Sequence, residues 1–515
     1  MRKKVLKRVL IILLILVTPF FLPIAFLLVE HMRGAISMAH YKRELIKKGV
    51  KLTPKDFDLG SNEENGAPEL WAAVKQLEEG AVLPKNPPPR MKLTQTGHAI
   101  VGFREEDWVE DKVTNNWDQL ANDLERNDTN LLAIRLALVK PILDNHLDLA
   151  QGPKMFFPHL LLPKKTTQWF GARSQLALHE GRTHEALEDL VAEVRLTRSI
   201  ARDRILISEL VRIAIAAIAR GGAWEALQAT NWTEPDLAEF QEAWANQSFA
   251  TNMTQALEGE LIFGDNAYDM MRKSNADAIA ILFGMEEYLP REETDLPWWE
   301  RTLRSFPGGD AASDFLRKQV YCRIWRFAWL DQDERRYLEH AKGLLDIMRA
   351  ASAEKSFGAI APLLDHLHEK SLNRNFHDRL RHPQPDSVYS LSASIKKAMR
   401  AETERSLILC AVALKRYSMK EGKFPASLDS LVPAFLQMVP VDYMDGKAVK
   451  YHPGATNTFI LYSVGEDLQD NGGDTTLSAE KKNLKNLWDR KDFVWPAPAS
   501  PDEVEEYRKE SAKGD

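Results

Sequence analysis

VLIILLILVTPFFLPIAFLLV, residues Val9 to Val29, is a run of 21 residues without a charge. At 1.5 Å per residue a helix of this length spans roughly 31 Å, about the thickness of a bilayer's hydrocarbon core. A signal-peptide core is shorter, about 7 to 15 residues, and no small-x-small cleavage site stands directly behind Val29. The run is therefore read as a retained transmembrane helix. Pro19 and Pro23 lie inside it as tolerated prolines that remove backbone donors. Arg2, Lys3, Lys4, Lys7 and Arg8 precede the run, and only Arg33 follows within the next dozen residues. The positive-inside rule then puts the N-terminus in the cytoplasm and everything from about Glu30 outside.

Working outward, the composition is that of an ordinary globular chain: 515 residues, 44% hydrophobic and 28% charged. Residues 1–29 hold five basic and no acidic groups, which leaves 63 Lys+Arg against 74 Asp+Glu, a net charge of -11, for the remainder. An ectodomain of that sign does not seek nucleic acid by bulk electrostatics. Two cysteines, Cys322 and Cys410, exclude a disulfide framework and a cysteine-rich metal site, and are expected as two separately buried thiols.

Residues 31–117 are expected as a juxtamembrane stalk and connecting segment. Within it Leu83-Pro-Lys-Asn-Pro-Pro-Pro-Arg90 carries four prolines and reads as an extended surface connection. Residues 118–400 read as a helical ectodomain. Leu187, Leu190, Val191 and Val194 recur at helical spacing, and two short helices joined at Gly181 resemble one tetratricopeptide-type hairpin without a second copy. The next helix, about Asp203 to Arg220, is apolar apart from Glu209 and Arg212, which are placed to pair structurally, and it is expected to end at Gly221-Gly222. Thr233-Glu-Pro-Asp236 carries an N-cap hydroxyl, an early proline and an acid at N3. Trp298 and Trp299 are either an aromatic contact surface or a core plug.

Enzyme motifs are absent in complete form. His179-Glu-Gly-Arg-Thr-His184 has its histidines five apart, with Gly181 between them, so it is a helix-hairpin turn rather than a zinc-binding helix. His366, His368, His377 and His382 form a local concentration expected to be a solvated helix. There is no Gly-x-Ser-x-Gly elbow, no Walker loop and no dinucleotide fingerprint.

The C-terminal part is more specific. A helix from about Glu402 to Lys420 shows Leu407, Cys410, Ala411, Leu414 and Tyr417 on one face. Ser427 is placed to cap a short helix through Leu431 and Val432. Ala448 to Tyr451 and Thr458 to Ser463 have strand composition and predict a small antiparallel hairpin. Tyr417, Gly422-Lys-Phe-Pro425, Ser427-Leu-Asp-Ser-Leu-Val-Pro433, Val439-Pro-Val-Asp442, Tyr451 and Leu461-Tyr-Ser-Val-Gly465 occur in that order before an acidic loop. This succession, about 70 residues, resembles the C-terminal domain of the major pseudopilin of type II secretion systems. The whole chain also resembles large membrane-anchored bacterial envelope proteins that end in such a module. No short basic leader before a Phe-Thr-x-x-Glu helix precedes Val9, and the body of several hundred residues has no pilin counterpart.

The resemblance implies a calcium site in the loop Gly465 to Asp474, where Asp467, Asp470, Asn471 and Asp474 offer the oxygen ligands that calcium takes. A solvated acidic turn fixed by Gly472 and Gly473 would look the same. The expectation is thus a mainly α protein of the bacterial inner membrane, its bulk periplasmic or extracytoplasmic: residues 1–30 as cytoplasmic tip and span, 401–475 as a small α+β pseudopilin-like module, and 476–515 as a tail whose aromatics dock on the body. It touches the membrane through residues 9–29 and is expected to be a non-enzymatic scaffold with an envelope protein partner. The alternatives are a membrane-tethered hydrolase whose site is assembled from distant residues, or an accessory part of a secretion or pilus-like system.

Overall fold

The structure, a computed structural model, describes residues 2–53, 55, 63–83, 117–229, 231–284, 298–306, 308–372, 375–383, 388–454, 458–479, 481 and 486–496, with residues 2–20 described by their backbone path alone. The proline run of 84–90 and the terminal residues 497–515 lie outside the described residues, as do the side chains of Trp298 and Trp299.

The N-terminal helix α1 (Arg2–Lys47) is 46 residues long and runs through both prolines and past the expected boundary at residue 30. It is the one helix among the described residues long and apolar enough to cross a membrane. Its two parts behave differently. Phe21, Leu22, Ile24, Phe26, Leu28 and Val29 are exposed, so no part of the body covers them. From Glu30 onward the helix has a buried face, since Glu30, Gly34, Met38 and Leu45 recur at helical spacing and are all covered. The segment expected to be a stalk is thus packed along the body.

The body is built from helices that bury one another. α2 (Ala67–Val74) lies on α3 (Trp117–Leu138), and α4 (Leu162–His179) and α5 (Thr183–Leu196) form a hairpin. Gly181, at φ +76°, makes the turn between them, in a region of backbone space that glycine occupies without strain. Next come α6 (Leu206–Gln228), α7 (Glu234–Ala245), α8 (Phe249–Lys273) and α9 (Asn275–Phe283). α7 opens on the capping box foreseen at Thr233 and Asp236. α10 (Trp298–Arg304) and α11 (Gly309–Phe315) precede a π-helical stretch, Leu316–Tyr321, that leads directly into α12 (Cys322–Ala328). α13 (Leu330–Glu354), α14 (Phe357–Leu372), α15 (Phe376–Arg381) and α16 (Val388–Glu421) complete the helices.

The double glycine does not end α6, which continues to Gln228. A Cβ on Gly222 would lie 2.9 Å from both Glu193 Oε2 and Leu190 Cδ2 of α5, so this glycine lets two helices approach closely instead of capping one. Ser427 likewise makes no side-chain cap on the 3-10 turn Leu428–Leu431. Cys322 and Cys410 are free and separately buried.

The centre of the molecule is α16. Residues Leu407 to Leu414 are buried on every side, as a helix enclosed by neighbours requires, and α16 touches α6, α7, α8, α13 and α14 as well as the sheet. That sheet has three strands where two were expected. β1 (Lys450–Pro453) pairs antiparallel with β2 (Phe459–Ser463), Tyr451 opposite Leu461, and β2 pairs antiparallel with β3 (Phe493–Val494), Ser463 opposite Phe493. Trp488, Phe493 and Trp495 are buried, and the Trp488 indole donates to Glu404 Oε1 at 2.7 Å. One hydrophobic core runs from Met38 through α16 to Trp495, so the C-terminal module and the helical body share their interior.

Candidate functional site

A dense arrangement of charge lies where α1 meets the body. Two placements bring it about: Glu30, Gly34 and Lys42 lie on the side of α1 turned to the body, and α13 presents Asp331, Asp333, Glu334 and Arg335 in its first turns. Gly34 lets the two helices come together, because a Cβ there would sit 3.2 Å from Gln332 Cγ and 3.3 Å from Asp331 Cβ.

At the end nearest the apolar run Glu30, nearly fully buried, accepts from the Trp329 indole at 3.1 Å and from the Gln332 amide at 3.2 Å, and pairs with Arg381 at 3.0 Å. Three turns further along, the Lys42 ammonium lies 2.6 Å from Asp265 Oδ1 and 2.6 Å from Glu334 Oε1. Arg272 bonds the other oxygen of Glu334 and pairs with Asp331 at 2.7 Å and Asp269 at 2.5 Å. Beside this lattice Asp333 accepts from the Tyr268 hydroxyl at 3.0 Å and holds His382 at 2.6 Å. The expected histidine cluster is thereby divided, since His382 is committed to α13.

Burial opposes the charge on Lys42, yet Glu334 and Asp265 outweigh it and hold the ammonium above its ordinary value. Burial pushes the Glu334 carboxyl up, against the pull of Lys42 and Arg272. Tyr268 is driven well above its usual range by burial and by Asp333, so its hydroxyl stays a donor. The lattice is therefore a network of ion pairs and hydrogen bonds in which Asp265 Oδ1 and Glu334 Oε1 meet the Lys42 ammonium as ion pairs without a well-directed hydrogen bond. Its chemistry is to hold α1 in one register against α8 and α13.

Two other buried clusters escaped the sequence reading or were only half seen. His159 Nε2 lies 2.8 Å from Asp203 Oδ2, the Ser208 hydroxyl donates to the same oxygen at 2.6 Å, and the Asn145 amide donates to Oδ1 at 2.8 Å. Serine, histidine and aspartate are all present, but in the wrong order for acyl transfer. Activation needs histidine between the hydroxyl and the acid, and here the acid is in the middle. The three are too far apart in sequence to form a motif, so only the fold brings them together.

Glu209 and Arg212 pair as expected at 2.9 Å, with the guanidinium 4.6 Å from the Phe249 ring centroid. Burial pushes the Glu209 carboxyl up to about 7. Nearby Glu402 Oε1 accepts from the amides of Phe249 at 2.6 Å and Ala250 at 3.0 Å, a carboxylate on the N-terminus of α8 where the helix dipole favours it.

The acidic loop is ordered from within. Asp467 accepts from the Gln469 amide at 2.9 Å and reaches the Asn471 side chain at 3.3 Å, so these two candidates meet. The other two point elsewhere: Asp470 accepts from the Tyr462 hydroxyl at 2.8 Å and the Gly472 amide at 3.1 Å, and Asp474 pairs with Lys491 at 2.8 Å. Lys491 and the Thr476 amide hold Asp474 down to about 2. Asp492, not singled out from the sequence, fixes the loop, accepting from the amides of Gly473 at 2.7 Å, Asp474 at 2.9 Å and Asn471 at 3.3 Å. Asp442 plays the same part beneath the sheet, accepting from Ser463 at 2.9 Å and from the amides of Met444 and Val464 at 3.0 Å each. Among the described residues no group of three or more His, Cys, Asp and Glu side chains is placed to hold one metal ion.

Comparison with protein-family models, with curated proteins and with solved structures finds no match.

Proposed function

We propose that this chain is a single-pass, membrane-anchored scaffold of the bacterial cell envelope, its N-terminus cytoplasmic and its helical body extracytoplasmic, acting by holding a partner protein at the membrane. The observation that carries the reading is the continuity of α1. One uninterrupted helix has an uncovered apolar surface at 21–29 and, immediately after it, a face locked into the body through Glu30 and Lys42. A flexible tether needs no such lattice. A body that must stand at a fixed attitude to the bilayer does. The acid-centred order of His159, Asp203 and Ser208 weighs against the hydrolase alternative.

The test is a pair of reporter fusions after residue 496 in a bacterial host. Alkaline phosphatase active and green fluorescent protein dark is the expected result, and the reverse pattern overturns the orientation. A chain recovered in the soluble fraction overturns the anchor.

We propose as a second reading that the acidic loop takes a calcium ion weakly. It is supported by the ionised state of Asp470 and Asp474, both held below the ordinary carboxylate range, and by the meeting of Asp467 and Asn471. Calcium there would compete with the Lys491 ammonium for Asp474, which keeps affinity at the weak end of the range for extracellular modules, about 10⁻⁴ to 10⁻³ M.

A further inference from the structure

α11, the π-helical stretch and α12 follow one another without a break over 309–328. At about 1.5 Å per residue this rod is roughly 30 Å long. One side of it belongs to the protein interior, with Ser313, Arg317, Cys322, Trp325 and Ala328 buried. An adjoining side is apolar and uncovered: Phe315 is 60% exposed, Leu316 39%, Val320 42% and Phe327 46%. Residues 316, 320, 324 and 327 recur at three and four, so with half-buried Ile324 they make one continuous stripe. Arg323 and Arg326 are its basic neighbours, and Lys318 of the same rod pairs with Asp314 at 2.9 Å.

The position of the rod decides what covers this stripe. The Phe327 ring stacks on the His31 ring at 4.9 Å with 10° between planes, and His31 lies 2.7 Å, through Nδ1, from the Phe327 carbonyl. His31 is two residues beyond Val29, the last of the apolar run. After the rod, α13 starts at Leu330 and runs alongside α1 in the same direction, with Gly34 against Asp331 and Gln332, and Lys42 against Glu334. The Lys42 ion pairs therefore lie on the far side of His31 from the apolar run, while Phe327, near the end of the rod, sits beside His31 itself. An apolar stripe with basic flanks beside an emerging span has the chemistry of a helix lying in a lipid interface.

We propose that residues 309–328 form a second membrane contact, resting in the headgroup and acyl boundary of the bilayer that α1 crosses, with Arg323 and Arg326 toward anionic head groups. This rests on the membrane-spanning reading of α1. It gives the body two points of attachment, one transverse and one in the plane, which together fix its tilt.

The experiment uses the full chain in nanodiscs of phosphatidylcholine and phosphatidylglycerol, with a nitroxide on a single introduced cysteine at Ile24, Phe315, Val320 or Leu136. Cys322 and Cys410 are buried and stay unlabelled under native conditions. Collision with oxygen and with a water-soluble nickel chelate reports depth. The expected result is a label at 24 deep in the acyl core, labels at 315 and 320 both shallow but below the phosphates, and a label at 136 in water. Labels at 315 and 320 as accessible to nickel as that at 136, with 24 still deep, overturn the second contact and leave the span standing. Labels at 315 and 320 shielded from both reagents mean that a protein covers the stripe, which also overturns it. A label at 24 that reads as water overturns the spanning reading itself.

Discussion

The Lys42 ammonium lies 2.6 Å from the Glu334 carboxylate and 2.6 Å from Asp265, so one lysine of α1 neutralises two acids on two different helices of the body. Glu334 is fully buried, while Lys42 keeps 28% of its side chain exposed. Breaking a fully buried pair costs about 3–5 kcal/mol. Lys42→Met should cost less, about 2–4 kcal/mol, because Lys42 is partly solvated and Arg272 still serves Glu334. Chemical denaturation of the detergent-solubilised full chain measures this. Lys42→Met with Glu334→Leu should recover part of the loss by removing the acid left without its lysine. A neutral Lys42→Met would mean that packing alone holds α1.

Gly34 is the close-approach point of the same joint. Gly34→Ala adds a Cβ at 3.2 Å from the flexible Gln332 side chain and gains about 1 kcal/mol of helix propensity, so it should be within about 1 kcal/mol of neutral. Gly34→Leu has no such room and should separate α1 from α13. Amide exchange over residues 31–47 reads this directly. It should accelerate at least tenfold in the leucine variant and stay unchanged in the alanine variant.

The buried Glu209 carboxyl gives a pH dependence with a definite sign. Its folded pKa, raised to about 7 from 4.5, means that the folded state binds its proton more tightly than the unfolded state. The stability it contributes is fully present below pH 4.5 and is lost as pH rises through 7. Glu209→Gln does not titrate. Between those limits the parent should lose up to about 3 kcal/mol relative to the glutamine variant. Melting both proteins from pH 4.5 to 8 checks this, and a difference that does not change with pH would contradict it.

Asp492 holds three loop amides, and its burial pushes the carboxyl up from its ordinary value. Asp492→Ala should cost about 2–4 kcal/mol by leaving those amides unpaired and should release the acidic loop. Millimolar calcium should raise the melting temperature of the parent and of Lys491→Met, the latter at lower concentration. It should fail to do so in an Asp467→Ala and Asp474→Ala double variant. A parent that melts identically with calcium and with chelator removes the calcium reading.

The apolar part of α1 was legible because its length and flanking charges are local properties, whereas its continuation to Lys47 along the body was not, since that depends on distant partners. So were the Gly181 turn and the Thr233 capping box, whose signals fit within a few residues. The β1–β2 hairpin was legible for the same reason. β3 was not, because a two-residue strand at Phe493 has no periodicity and is specified only by pairing with β2. Gly222 was read as a stop because sequence shows a glycine's freedom but not the neighbour that needs its missing side chain. The candidate ligands of the acidic loop were visible by type. Their fixing residue, Asp492, was not, since it lies 18 residues beyond Asp474 and takes part only through the fold. The joint at Glu30 and Lys42 was invisible for a stronger reason. Its partners on α8, α13 and α15, and Trp329 between α12 and α13, are hundreds of residues away, and their charges look like any solvated helix face until packing covers them.

That distance also sets a schedule for the protein's birth. Glu30 and Trp329 are 299 residues apart, and at roughly 5–20 residues per second the ribosome needs about 15–60 s to make what lies between them. Throughout that interval Glu30 has no Trp329, Gln332 or Arg381 to meet it, and Lys42 has at most Asp265. On the proposed membrane-spanning reading, α1 would be the first part to reach its destination and among the last to reach its native contacts. A nascent chain stalled before residue 334 would then be held in place with much of its ionic face still unclaimed.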